Sequence, residues 1–151
     1  MPARSIFRLA AHLALTATLC GHALAEPRVR ILPETIDGST LSIFDGDTVV
    51  LPGGDRIRLL GIDAPETFDA RCERELMLGL RVRQRLAELL QGQAVTIERQ
   101  FKDRFGRSLA TIRLADDRDV GDVLVEEGLA VAYRPGRAAS EERLARWGGR
   151  G

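Results

Sequence analysis

Three short runs rich in Val, Ile and Leu crowd into residues 41–62, and this spacing constrains the chain more than any other feature. The runs occupy 41–44, 48–51 and 57–62. Asp45-Gly46-Asp47 separates the first two, and Pro52-Gly53-Gly54-Asp55 makes a tight turn before the third. Strands this close in sequence are joined by turns and form a meander, because a parallel crossover needs about a dozen residues or more. The third run ends at Ala64-Pro65, where proline holds the residue before it extended.

A long helical pattern follows over 73–91. Leu76, Gly79, Val82, Leu86 and Leu90 recur at spacings of three and four, Arg81, Arg85 and Glu88 take the other side, and Gly92 supplies the stop. Two further strands are predicted. Over 94–101, Val95 and Ile97 alternate with Thr96 and Glu98, and Phe101 is expected in the core. The second covers 107–114, after the turn Asp103-Arg104-Phe105-Gly106. A short helix over 120–127 ends at Gly128, and residues 129–133 are apolar and extended. A last short helix opens at Ser140-Glu141-Glu142-Arg143 and ends at Gly148-Gly149. Five strands with an inserted helix and small C-terminal helices predict an α+β fold, a five-stranded Greek-key barrel of OB-fold type. Residues 26–35 read as a loose lead-in, the domain is expected over 36–147, and 148–151 form a tail.

Residues 1–25 read as a removable export signal. Arg4 and Arg8 give a positive start, 9–19 is apolar, and Ala23-Leu24-Ala25 is a small-x-small cleavage site before Glu26. The segment is too short and wrongly flanked to span a membrane. The expected location is the periplasm or the medium, with no membrane attachment after cleavage. Cleavage would leave 126 residues with 20 basic and 22 acidic side chains. That length suits one domain with one core. That charge gives no global pull on nucleic acid, so any phosphate binding must come from individually placed arginines.

His12 and His22 both lie in the leader. The remaining chain has no histidine, which excludes a Ser-His-Asp triad, a Cys-His dyad and a histidine-ligated zinc site. Cys72 is its lone cysteine, so no intramolecular disulfide and no multi-thiolate site can form. Carboxylates and arginines remain, a combination suited to a hard, oxygen-ligated cation and an anionic substrate.

Asp45-Gly46-Asp47-Thr48 and Asp63-Ala64-Pro65-Glu66 each stand at the end of a predicted strand. In a meander the two can meet at one rim. Asp47 and Asp63 would then supply two carboxylate ligands, the Ala64 carbonyl a third, and water the rest of a Ca²⁺ shell. Taken alone, either segment reads equally as a solvated turn. An EF-hand is excluded, because counting from Asp45 places Val50 and Arg56 where Gly and Glu are required. Arg58 sits mid-strand on the face opposite Ile57 and Leu59, and Arg107 follows a tight turn. The two arginines suit either surface ion pairs or a bidentate clamp on one phosphate.

Four segments in this order and spacing resemble the staphylococcal nuclease (thermonuclease) family. They are Asp45-Gly46-Asp47-Thr48, then Arg58-Leu59-Leu60-Gly61-Ile62-Asp63-Ala64-Pro65-Glu66-Thr67, then Asp103-Arg104-Phe105-Gly106-Arg107, then Glu127-Gly128-Leu129-Ala130. The resemblance implies that Asp47 and Asp63 match the calcium carboxylates, Ala64 the carbonyl donor and Asp45 a nearby outer acid. It implies that Glu66 matches the acid beside the attacking water, and that Arg58 and Arg107 match the phosphate-binding arginines. Arg104, Phe105 and Tyr133 would contact substrate. Phe105 departs from a tyrosine in the best-known relative, and Arg134-Pro135-Gly136 replaces a second base-side tyrosine.

The implied activity is Ca²⁺-dependent hydrolysis of phosphodiester bonds in DNA and/or RNA. Sequence specificity would be low, on single-stranded or frayed substrate, by a monomer. The alternative is a non-catalytic nucleic-acid or protein-binding module on the same barrel. A third reading is a calcium-stabilised structural domain. Such modules usually lack the acids or arginines that this chain retains.

Overall fold

The computed structural model describes residues 32–148 as a curled six-stranded sheet, a separate two-stranded pair and three α-helices. The strands are β1 (Glu34–Asp37), β2 (Ser42–Asp45), β3 (Thr48–Val50), β4 (Arg56–Leu59), β5 (Ile62–Asp63), β6 (Ala94–Lys102), β7 (Ser108–Arg113) and β8 (Val131–Ala132). The helices are α1 (Glu73–Leu90), α2 (Val120–Glu126) and α3 (Arg137–Trp147). The large sheet runs β1-β6-β7-β4-β3-β2, and β5 pairs with β8. All pairs are antiparallel except β4 with β7. This is the OB-type α+β arrangement expected, with more strand segments than five. Among the described residues no helix is long and apolar enough to cross a membrane. The leader over 1–25 and the tail beyond Gly148 lie outside the described residues.

Two differences from the sequence expectation involve the strands. The segment read as lead-in contains the start of β1, which pairs with β6 from Glu34 opposite Ile97 to Asp37 opposite Ala94. The run over 57–62 is two strands, not one. Gly61 takes a left-handed φ of 82°, which turns the chain from the large sheet toward β8.

The core lies inside the curl. Val49, Ile57, Leu59, Val95, Ile97, Ala110 and Ile112 fill it from the sheet, and Val82, Leu86 and Leu90 from α1. Val120, Val123 and Leu124 of α2 close one end. Each fully buried Leu or Ile contributes roughly 1.5–3 kcal/mol. Leu76 is not part of this stripe; it is exposed, and Glu75 takes the buried position on the first turn.

Phe101 is also outside the core, at 56 % exposed. A register shift between Arg99 and Phe101 is the cause. Arg99 pairs with buried Ala110, but Phe101 pairs with outward-facing Leu109. One extra residue flips every later side chain to the other face. Helix α3 starts at Arg137, three residues before the expected Ser140, and ends with Trp147 buried.

Candidate active site

The Asp45-Gly46-Asp47 turn joins β2 to β3 beside a register shift between Ile43 and Asp45. Such a bulge re-aims side chains, here at the end of a strand pair. The Asp47 amide donates to Asp45 Oδ1 at 3.2 Å, and Thr48 Oγ1 donates to Asp47 Oδ1 at 3.1 Å. The Ala64 amide donates to Asp47 Oδ2 at 3.2 Å, which ties the first acidic turn to the second. Gly46 permits this approach. A Cβ there would lie 2.7 Å from the Ala64 Cβ and 2.8 Å from Val82 Cγ1.

Arg58 joins the two strand ends. One terminal nitrogen contacts Asp47 Oδ1 and the other contacts Asp63 Oδ1. It also donates to the Ile62 carbonyl at 3.3 Å. Thr48 lies directly across from Arg58 in the β3–β4 register, so the meander itself brings Asp47 to this arginine. A second arginine reaches Asp63 from α3: Arg143 Nε lies 2.7 Å from Asp63 Oδ2. Sequence reasoning did not find Arg143, because it lies 80 residues further along the chain.

Glu66 sits on the loop after β5, and that loop rests directly on α1. Gly79 makes the contact possible, since a Cβ there would stand 2.6 Å from the Glu66 carbonyl oxygen and 2.9 Å from that of Pro65. Glu75, 2 % exposed, holds the same loop from below. Its carboxylate accepts from the Arg71 amide at 2.9 Å and from the Glu66 amide at 3.5 Å. Glu75 was also missed in the sequence. The available signal was its place three residues after the N-cap Cys72, the position from which a helix glutamate reaches back to free amides.

Acid exceeds base in this region. Burial, followed by the Asp47 charge, pushes Asp45 up to about 6. Burial, then the charges of Asp47 and Asp45, pushes Glu66 up to about 7. Burial also raises Asp63, while Arg58 and Arg143 pull it back.

The remaining expected residues line the same groove. It is bounded by Asp45, Asp47, Arg58, Glu66, Arg107 and Tyr133, and it encloses about 980 Å³. Arg107 is pinned by Asp103, with Nε 2.8 Å from Oδ2. Strand alternation places Arg107, Leu109 and Arg58 on the outward face, because Ser108 stands opposite Ile57 and both are buried. Phe105 is 68 % exposed, with the guanidinium groups of Arg104 and Arg107 at 4.7 and 5.5 Å from its ring centre. Tyr133 is exposed, and its amide donates to the Gly61 carbonyl at 2.7 Å.

Among the described residues no three acidic, histidine or cysteine side chains converge as a ready-made cation cage. A positive group nevertheless sits between Asp47 and Asp63, and it is the Arg58 guanidinium. The two carboxylates face one point, which Arg58 fills; Ala64 meets Asp47 through its amide N–H, so the carboxylates are the donors the structure brings to that point. The donors are all oxygen, the chemistry preferred by hard divalent ions. The chemistry of Asp47 and Asp63 therefore fits a hard divalent ion, at a point that Arg58 takes in this structure.

Residues 56–147 match the family model described as Staphylococcal nuclease homologue. The matched span holds Arg58, Asp63, Ala64, Glu66 and Arg107 and begins after Asp47. The chain is 38 % identical to protein ParB of Escherichia coli over 119 residues, covering 71 % of this chain and 63 % of that protein. It is 36 % identical to a micrococcal nuclease of Shigella flexneri over 108 residues, covering 64 % and 58 %. It is 36 % identical to a thermonuclease of Staphylococcus intermedius over 95 residues, covering 60 % and 55 %. The chain spans about three fifths of the length of the curated relatives it matches. By the extent of the family match, which takes in β4 to β8 and all three helices, the chain belongs to the staphylococcal nuclease homologue family.

Proposed function

We propose that the chain is an exported, calcium-dependent nuclease that hydrolyses phosphodiester bonds of DNA and/or RNA with little sequence specificity. The observation that carries this reading is the groove in which Asp47, Arg58, Glu66 and Arg107 share one wall system, with Asp63 joined to it through Arg58. The names of the relatives, two of them nucleases, support it. Export rests on the leader pattern at residues 1–25.

Asp47, Asp63 and the Ala64 carbonyl would hold the ion, which when bound supplies Lewis-acid stabilisation to a phosphate oxygen. The chain's own groups do the rest. Glu66, which lines the groove with Asp47 and Arg58, would accept a proton from the attacking water or orient that water. Arg58 and Arg107 line the groove, paired here with Asp47, Asp63 and Asp103, and would turn donors to the negative charge that develops on phosphate oxygens. Such donors are each worth about 10²–10³ in rate. Contacts made to phosphate position the strand without reading bases, so specificity is low. Exposed Phe105 and Tyr133, with Arg104 beside Phe105, offer surfaces for unstacked bases, which favours single-stranded or frayed substrate and needs only one copy of the chain.

The test is to incubate the purified protein with end-labelled single-stranded and duplex oligonucleotides in Ca²⁺ and to size the products. Laddered products from both, faster from the single strand, are expected. Intact oligonucleotides after prolonged incubation would overturn the assignment.

A further inference from the structure

At the edge of the groove, which Phe44 lines, stands a second aromatic cluster that the reaction described above does not use. Phe44 of β2 and Phe68 of the loop after Glu66 lie ring to ring, with centroids 4.8 Å apart and planes inclined by 31°. The Arg56 guanidinium stands 3.8 Å from the Phe44 ring centre. Phe68 is 66 % exposed. Burying a phenylalanine side chain is worth roughly 1.5–3 kcal/mol, so a ligand that covers the Phe68 ring would gain binding energy there.

The position of the cluster says which ligand. Phe44 lines the same groove as Asp45, Asp47, Arg58 and Glu66. Arg56 and Arg58 are alternate residues of β4, so their side chains leave the same face of the sheet. At about 3.3 Å per residue they stand roughly 7 Å apart, comparable to the step between neighbouring phosphates of an extended strand. The groove, at about 980 Å³, is at the upper end of the ~300–1,000 Å³ typical of small-ligand sites. It has room for more than the one nucleotide whose phosphate meets Arg58. An aromatic surface with an arginine beside it suits the flat, π-rich face of a nucleobase, through stacking and cation–π attraction.

We propose that Phe68, backed by Phe44 and Arg56, is a stacking subsite for one unpaired base of a single-stranded nucleic acid, at a nucleotide adjoining the one cut. This rests on the nuclease reading of the groove. A duplex cannot use the subsite without opening, because its bases are already stacked and paired. The cluster thereby adds to the preference for unpaired strands.

The experiment is fluorescence anisotropy in Ca²⁺ with a short fluorescein-labelled single-stranded oligonucleotide, in a Glu66→Gln background that slows cutting. A matched set carries one abasic site at each position in turn. Base stacking on an aromatic side chain is worth about 1–3 kcal/mol, so Phe68→Ala is expected to weaken binding of the complete oligonucleotide about tenfold. At one abasic position that difference disappears, Phe68→Trp restores tight binding, and Met77→Ala, an exposed truncation on α1, changes nothing. Equal affinity for Phe68→Ala and its background would overturn the proposal. So would a tenfold loss that persists at every abasic position, since Phe68 would then act on the loop and not on a base. Failure of the nuclease reading shows separately, as absence of cleavage by the parent protein, because this comparison reads binding alone. Absence of binding by the background itself would overturn both.

Discussion

Gly79→Ala pits a local rule against a tertiary contact. Gly79 lies in the middle of α1, where alanine is favoured by about 1 kcal/mol on helix propensity. The structure predicts the opposite outcome. The new Cβ would sit 2.6 Å from the Glu66 carbonyl oxygen, with the Pro65 carbonyl and Thr67 Cγ2 each at 2.9 Å. Carbon–oxygen contacts begin at about 3.3 Å, so the loop must retreat by about 0.7 Å. Overpacking of this kind costs about 1–3 kcal/mol, enough to cancel or exceed the propensity gain. The retreat also displaces Glu66, and a misplacement near 1 Å can cost about 10² in rate. Turnover on a saturating oligonucleotide is therefore expected to fall about ten- to a hundredfold, with urea unfolding showing stability unchanged or lower by up to about 2 kcal/mol. A variant with parental turnover and about 1 kcal/mol of added stability would refute the idea that the Glu66 loop is seated on this helix.

Other consequences follow from the same geometry. Arg143→Ala removes one of two arginines from Asp63, and a charge-assisted bond of this kind is worth about 1.5–3 kcal/mol; urea melts should show a loss of that order, and an unchanged midpoint would mean that α3 does not brace the site. Cys72 caps α1 through its sulfur, with the Glu75 amide 3.5 Å away, so Cys72→Ser supplies a better cap, keeps activity and leaves stability equal or slightly raised; loss of most activity in a folded Cys72→Ser protein would contradict this. In chelator, Asp45 and Glu66 bind protons more tightly folded than unfolded, because burial and neighbouring acids raise them to about 6 and about 7. Their contribution is fully present below the ordinary carboxylate range and is lost as pH rises through 6 to 7, so these groups make stability fall over that window in pH-dependent melts. A rise in stability across the same window, absent in the Asp45→Asn, Glu66→Gln double variant, would contradict the raised values.

Much of the fold was readable because its signals are local. The meander over 41–62 follows from turn residues and short β-branched runs, and α1 from apolar spacing. What escaped depends on contacts between distant segments. Strand β1 has little pattern of its own and exists because β6 offers it an edge. Phe101 changed face through a single register shift, which composition does not encode. The acids and arginines of the groove were legible as types in order. Their joining by Arg58 depends on the β3–β4 register. Arg143 was not legible as a member of the site, since a helix arginine carries no mark in one sequence, and Glu75 was marked only by its place three residues after Cys72. Phe44 and Phe68 lie 24 residues apart and meet only when the β5 loop folds back.

The central claim is that this groove cuts phosphodiester bonds with a bound cation and Glu66. It is tested most directly by the single-turnover cleavage rate of one single-stranded oligonucleotide, measured for the parent and for Glu66→Gln in Ca²⁺ and in chelator. The account predicts rapid cleavage by the parent in Ca²⁺, none in chelator, and a rate at least about 10² lower for Glu66→Gln with its circular dichroism unchanged. Parental rates in chelator, or from Glu66→Gln in Ca²⁺, would contradict it.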